Sequence, residues 1–343
     1  MSVGYYSSVM GCMLGGAVGD ALGSPVEFMS LAQIRATHGP DGLRDMVSTE
    51  VTDDTQMTLF TAEGLIRARL HRIDPVEAVR NSYLRWLDTQ QFPEPPAADD
   101  ALRNGWLRRE RWLYAVRAPG MACLSGLYAA GRHVNVPAPG AIGEINPLSK
   151  GCGSVMRSAP FGLSVFDPFE TAARCSYLTH GHPTASLSAG AFAAIIHDLV
   201  HGDPLEQAVR RALGRLTTCP AHEETVSALR AAVHLAAGPE PTAEAVESLG
   251  AGWVAAEALA IAVYCALAEP DPGKALLLAV NHSGDSDSTG AICGSILGAR
   301  HGFRFLPAEW VDAVEGRRTL VKITYDLLTE PTSHSYWTDR YPR

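Results

Sequence analysis

Four glycines, Gly11, Gly15, Gly19 and Gly23, recur every fourth residue in an otherwise apolar N-terminal segment. That spacing lines them along one stripe of a helix. Glycine is about 1 kcal/mol worse than alanine inside a helix, so such a stripe is tolerable only where a second helix or backbone packs very close. The rest of the chain is consistent with close helix packing. Few segments alternate apolar and polar residues, and β-branched runs are scarce. Three helix starts are written out as Asp74-Pro75-Val76-Glu77, Asp167-Pro168-Phe169-Glu170 and Asp203-Pro204-Leu205-Glu206. Each offers a capping carboxylate, a proline where no N–H partner is needed, and a glutamate that reaches back to the cap. Apolar periodicity predicts further helices over 55–69, 184–200, 223–237, 253–268, 288–299 and 320–328. The expected fold class is all-α.

The stretches 92–100 and 131–151, rich in Pro, Asp or Gly, read as loops, because core-like helices continue on both sides. Nothing repeats at a solenoid period. A single helical domain over 1–330 is expected, with 331–343 as a peripheral tail. A formal charge of -9, with no long basic stripe, excludes a generic nucleic-acid binder. An anionic ligand would need backbone N–H groups or metal cations. Seven scattered cysteines without a C-x-x-C pair fit buried thiols in a reducing compartment. The apolar patch from Val9 to Val18 lacks a basic flank, is interrupted by glycines, and is followed by Asp20. It is too short to span a bilayer. The expectation is a cytoplasmic protein with no signal and no membrane segment.

Two acidic clusters, Thr52-Asp53-Asp54-Thr55 and Asp285-Ser286-Asp287-Ser288, each open a helix. Either one alone reads as a cap that complements the helix dipole. Together they offer several carboxylate and hydroxyl oxygens, the ligands that hard divalent cations prefer. A calcium loop is excluded: Asp285, Asp287 and Gly290 match its first, third and sixth positions, but Ile296 stands where the bidentate glutamate belongs. Lys150-Gly151-Cys152-Gly153-Ser154 is a loop whose glycines would let backbone N–H groups approach a phosphate. By itself it is also compatible with a plain turn. Thr179-His180-Gly181-His182-Pro183-Thr184 precedes a long helix that carries His197-Asp198 near its end. Those histidines could bind metal, stack or simply donate hydrogen bonds.

In order, residues 11–28 (GCMLGGAVGDALGSPVEF), 51–65 (VTDDTQMTLFTAEGL), 151–163 (GCGSVMRSAPFGL), 179–185 (THGHPTA) and 281–302 (NHSGDSDSTGAICGSILGARHG) resemble the ADP-ribosylglycohydrolase family. That family includes dinitrogenase reductase-activating glycohydrolases and ADP-ribosylarginine and ADP-ribosylserine hydrolases. The resemblance implies a compact, single-domain, orthogonal all-α fold. It also implies two magnesium ions, with manganese as a substitute, and Thr52, Asp53, Asp54, Asp285, Asp287 and Ser288 as their ligands. Glu27 would contact the distal ribose, and Glu27 or Asp287 would assist proton transfer. Gly151, Cys152, Gly153 and Ser154 would cradle the diphosphate near Met156, and His180 would lie toward the phosphates or adenosine. Cys152 departs from the polar residue, often Asn, of relatives, and Ser288 replaces a common Thr while keeping the oxygen.

The activity implied is magnesium-dependent cleavage of the glycosidic bond in an ADP-ribosylated protein or small molecule, releasing ADP-ribose. His182-Pro183-Thr184 leans toward arginine as the leaving group. A monomer without membrane or nucleic-acid partners is expected. Two alternatives stay open on the residues alone. One is an HD-type metal-dependent phosphohydrolase using His180 or His182, His197-Asp198 and Asp285; the other is a non-catalytic ADP-ribose-binding relative.

Overall fold

The computed structural model describes residues 3–99, 101–129, 135–238, 240–330 and 335–343. Among these residues no strand forms, and the single bridge joins Gly151 to Val254. In chain order the helices are α1 (Val3–Gly23), α2 (Leu31–His38), α3 (Asp53–His71), α4 (Pro75–Gln91), α5 (Met121–Ala129) and α6 (Ala159–Gly162). Then come α7 (Pro168–Ser176), α8 (Pro183–Val200), α9 (Leu205–Leu216), α10 (Glu223–Ala236), α11 (Ala243–Glu247) and α12 (Ala255–Ala268). The last are α13 (Pro272–Val280), α14 (Ser286–His301), α15 (Ala308–Ala313), α16 (Arg317–Leu328) and α17 (Ser335–Arg340). The expected all-α class is what forms.

The glycine stripe finds its partner in α14. Antiparallel packing sets Gly11 against Gly298, Gly15 against Gly294, Gly19 against Gly290, and Gly23 against Ser286. A Cβ on Gly294 would come within 2.0 Å of the Gly15 carbonyl oxygen, so any side chain there would force the helices apart. α14 thereby sits at the centre of the bundle, in contact with α1, α3, α8, α12 and α13. α12 is apolar around most of its circumference and buried accordingly. By contrast α9 buries only Leu205, Ala208, Val209, Ala212 and Leu216, the stripe expected of a surface helix. The segments Gly4–Val26 and Pro183–Val200 are long and apolar enough to cross a membrane, yet 89% and 83% of their most apolar windows lie inside the protein.

Asp74 and Asp167 cap their helices as expected, accepting from Val76 and Glu170 N–H groups. At the third site the helix starts one residue later, at Leu205, and Asp203 is drawn instead into an ion pair with Arg211, which also holds Asp198. The helix expected from 253 begins at Ala255, because Trp253 and Val254 run extended beside the 150–152 backbone. Part of the expected loop 131–151, residues 131–134, and Asp100 lie outside the described residues, as do residues 331–334 of the tail. The remainder of the tail is not peripheral. Trp337 and Tyr341 are buried, and the Tyr341 hydroxyl donates to Asp326 at 2.5 Å. Two large aromatic rings so close to a chain end gain more by docking on the core than by remaining in water.

Candidate active site

The α1–α14 seam fixes where the two acidic clusters meet. α1 ends at Gly23, and the chain turns through a short 3-10 stretch to Glu27, while α14 begins beside it at Ser286. Asp285 caps α14 through the Ser288 N–H, and Thr52 caps α3 through the Asp54 N–H. Both helix N-termini point into one cavity of about 320 Å³. Its walls contain Glu27, Asp53, Asp54, Gly151, Cys152, Gly153, Met156, His180, Asp285, Asp287 and Ser288 from the residues singled out in the sequence.

Thr52 and Ser154 do not line it. The Thr52 hydroxyl is turned to Asp20 at 2.9 Å. That of Ser154 donates to the carbonyls of Gly151 and Ala185 at 3.1 and 3.2 Å. His197 and Asp198 lie near the far end of α8, roughly 22 Å along the helix from His182. His197 packs against a tilted His201 ring, and Asp198 pairs with Arg211. The His…His-Asp…Asp ligand set of an HD phosphohydrolase is therefore not assembled.

One carboxylate oxygen from each of Glu27, Asp285 and Asp287 lies within 4.8 Å of the other two. Asp53 and Asp54 stand alongside on α3. Asp53 is held by the Gly120 N–H at 3.1 Å, and the Asp54 Oδ1 is buried without a hydrogen-bond partner. A buried carboxylate oxygen left unpaired is costly unless something positive meets it. With Ser288 adding a hydroxyl, the donor set is all oxygen, which fits a hard divalent cation.

The electrostatics agree. Burial, followed by the charges of Asp287 and Asp53, pushes Glu27 up to about 9. Burial raises Asp53, Asp54 and Asp285 well above the usual carboxylate range, and crowding by Asp287 adds to it. So many acids in one place favour protonation, or a bound cation that relieves their repulsion.

Asp20 was not singled out as a site residue in the sequence, yet it organises one half of the site. It is fully buried on α1 and accepts from the N–H groups and hydroxyls of both Thr52 and Thr55. It is raised to about 7 by burial and by Asp287, against those hydrogen bonds. Its position directly after Gly19 in an apolar helix was the available signal.

The opposite wall carries the 150–154 loop and His180. The Cys152 N–H donates to the Trp253 carbonyl at 3.0 Å, and its thiol donates to Asp285 at 2.6 Å. Cys152 thus serves the acidic cluster rather than the cavity's open space. Arg157 is buried behind this wall, over the ring of Tyr83, with no ion pair among the described residues. It donates to the Thr179 hydroxyl at 2.6 Å, and that hydroxyl lies 2.7 Å from His180 Nδ1. An arginine can only donate, so the threonine proton goes either to the Ser176 carbonyl at 3.5 Å or to Nδ1, and in the second case the Nε2–H of His180 is left beside Gly151 and Gly153. Burial and the Arg157 charge lower His180 to about 3, so the ring is neutral near pH 7.

The family model described as ADP-ribosylglycohydrolase matches residues 1–336. The chain is 24% identical to the ADP-ribosylarginine hydrolase Tri1 of Pseudomonas putida, over 92% of this chain and 76% of that protein. It is also 24% identical to the ADP-ribosyl-[dinitrogen reductase] glycohydrolase of Rhodospirillum rubrum, over 90% of this chain and 91% of that one. Among solved structures, an ADP-ribosylglycohydrolase-related protein complex superimposes with a TM-score of 0.66 at 23% identity, covering 96% of this chain and 99% of that one. At that identity the likeness speaks for the fold alone.

Proposed function

Because this chain belongs to the ADP-ribosylglycohydrolase family and is accordingly a hydrolase of a glycosidic bond, we propose that it releases ADP-ribose from ADP-ribosylated arginine, with two magnesium ions bound among the pocket carboxylates. The observation that carries this reading is the gathering of Glu27, Asp285 and Asp287 oxygens within 4.8 Å, beside Asp53 and Asp54, in a sugar-sized cavity. Asp53, Asp54, Asp285, Asp287 and Ser288 would hold the ions, and Thr52 would act from behind by fixing Asp54. Bound cations of this kind fix ribose hydroxyls and acidify a water. The arginine leaving group is supported by the name of one relative, the ADP-ribosylarginine hydrolase Tri1.

The chain's own residues would do the rest. The Cys152 N–H is already engaged, so the diphosphate would meet the N–H groups of Gly151 and Gly153 and the Nε2–H of His180. Helix N-termini and glycine loops favour such anions. Glu27, which in its protonated form hydrogen-bonds to Asp287, would orient the distal ribose. As the C–N bond opens with oxocarbenium character, water forms the new C–O bond. Its proton passes to the Glu27–Asp287 pair and on to the departing guanidine nitrogen.

The test is release of free ADP-ribose from arginine- and serine-modified peptides in magnesium, in manganese and in chelator. Release from the arginine peptide that vanishes with chelator is expected, with manganese restoring part of it. Undiminished release in chelator would defeat the metal reading. Release from the serine peptide alone would overturn the choice of leaving group. Binding of ADP-ribose with no release from either peptide would favour a non-catalytic relative.

A further inference from the structure

One wall of the cavity takes no part in the chemistry above. The rings of Phe28 and Trp253 stack there with centroids 5.2 Å apart and 24° between their planes. Both line the cavity, and both are wet: Phe28 is 68% exposed and Trp253 41%. Among the described residues no other Phe, Tyr or Trp lines it.

Phe28 also holds a backbone conformation that a large aromatic residue seldom adopts, with φ at 65°. Strain of this sort persists only where surrounding structure enforces it, and it gathers at ligand-binding sites. Here the Phe28 N–H donates to the Gly284 carbonyl at 3.3 Å, and the flanking N–H groups of Glu27 and Met29 reach Gly23 and Val26 at 3.0 Å. Trp253 is fixed from the other side by the Cys152 N–H on its carbonyl. Two loops therefore hold an exposed aromatic pair against the acidic cluster, one residue away from Glu27.

We infer that Phe28 and Trp253 form the leaving-group platform, which selects a flat cation such as a guanidinium. This inference rests on the reading of the pocket as an ADP-ribosyl hydrolase site. The leaving group departs from the ribose that Glu27 contacts, so it must pass beside Phe28. A guanidinium stacks well on an aromatic face and is weakly hydrated. The aliphatic side chain of an O-linked serine brings no flat cation and gains little from either ring. The diphosphate is served elsewhere, by the glycine loop and His180.

Steady-state kinetics on arginine-linked and serine-linked ADP-ribosyl peptides, together with calorimetric binding of free ADP-ribose, test the platform. Trp253→Ala and Phe28→Gly, the latter also relieving the strained φ, should raise KM for the arginine-linked peptide roughly 3- to 30-fold. The effect on kcat should be smaller, and KM for the serine-linked peptide should move less. Trp253→Phe should recover most of the loss. Free ADP-ribose lacks the leaving group, so its affinity should hold within about twofold while thermal melting confirms folding. A parallel loss of ADP-ribose affinity would mean that the rings stack on adenine, overturning the platform while sparing the reading of the pocket. Equal rises in KM for both peptides would overturn it too. Wild-type protein that releases ADP-ribose from neither peptide would sink the pocket reading and the platform together.

Discussion

The Asp20 carboxylate accepts the Thr55 hydroxyl at 2.5 Å and the Thr55 N–H at 3.0 Å. With the matching pair of bonds from Thr52, this one α1 side chain clamps the N-terminus of α3 and so aims Asp53 and Asp54. An Asp20→Asn variant keeps the size but turns an NH2 group toward donors. Its magnesium requirement for kcat/KM should rise about 10- to 100-fold, the usual effect of losing a group that orients metal ligands. Excess magnesium should restore part of the rate, whereas Asp53→Asn should not be rescued. A wild-type magnesium titration of Asp20→Asn would show that the clamp does not set the cluster.

Gly294→Ala should be among the more damaging small substitutions, since its Cβ would meet Gly15 backbone at 2.0 Å. Overpacking of this kind costs about 1–3 kcal/mol, occasionally more. Gly214→Ala is the control. It lies exposed in α9 with nothing within 4 Å of the added carbon, and should stabilise by about 0.5–1 kcal/mol. Denaturant melts of the two variants check the contrast, and equal effects would contradict the packing of the seam.

Stability should depend on pH in a direction set by the acidic cluster. In metal-free protein Asp20 is raised to about 7 and Glu27 to about 9, with Asp53, Asp54 and Asp285 also raised. The folded state then holds protons that the unfolded chain has released by about pH 5. Stability is complete below the unfolded pKa values and falls as pH rises through the folded ones. Lowered His180 and His282 act in the opposite sense, but only up to about pH 6.5. Between pH 6.5 and 9 the melting temperature should therefore fall in chelator. Raised cysteine thiols contribute to that fall above about pH 8, with or without metal. The rise on adding magnesium should grow with pH, because the cation replaces the retained protons. A magnesium shift that shrinks toward pH 9 would contradict this account of the cluster.

Much of the site was legible because its chemistry is written in short local runs. Asp53-Asp54 and Asp285-Ser286-Asp287-Ser288 announce oxygen-rich helix starts wherever they fold. What a row of residues lacks is adjacency, and here the glycines supply it. The α1 stripe demanded a close partner, and Gly290, Gly294 and Gly298 repeat the same spacing in α14. Asp20 escaped notice because a lone acid in an apolar helix reads as an interruption until its four donors are seen. Phe28 and Trp253 escaped because exposure is a property of the fold. Where the Thr52 and Ser154 hydroxyls turn, toward Asp20 and toward backbone carbonyls, is likewise fixed by the fold and not by the acid and glycine runs they sit in. Tyr341, beyond the expected domain boundary, belongs to the core for the plain reason that its ring fills space beside Asp326.

The glycine seam has a consequence for biosynthesis. It joins residues 11–23 to residues 286–298, so α1 cannot complete its packing until the distant α14 has been made. Contacts between such distant parts of a chain form late. A nascent polypeptide stalled short of α14 carries Asp20, Glu27, Asp53 and Asp54 but lacks Asp285 and Asp287. The acidic cluster is therefore complete only once α14 has been made, and any fragment released earlier is left without it.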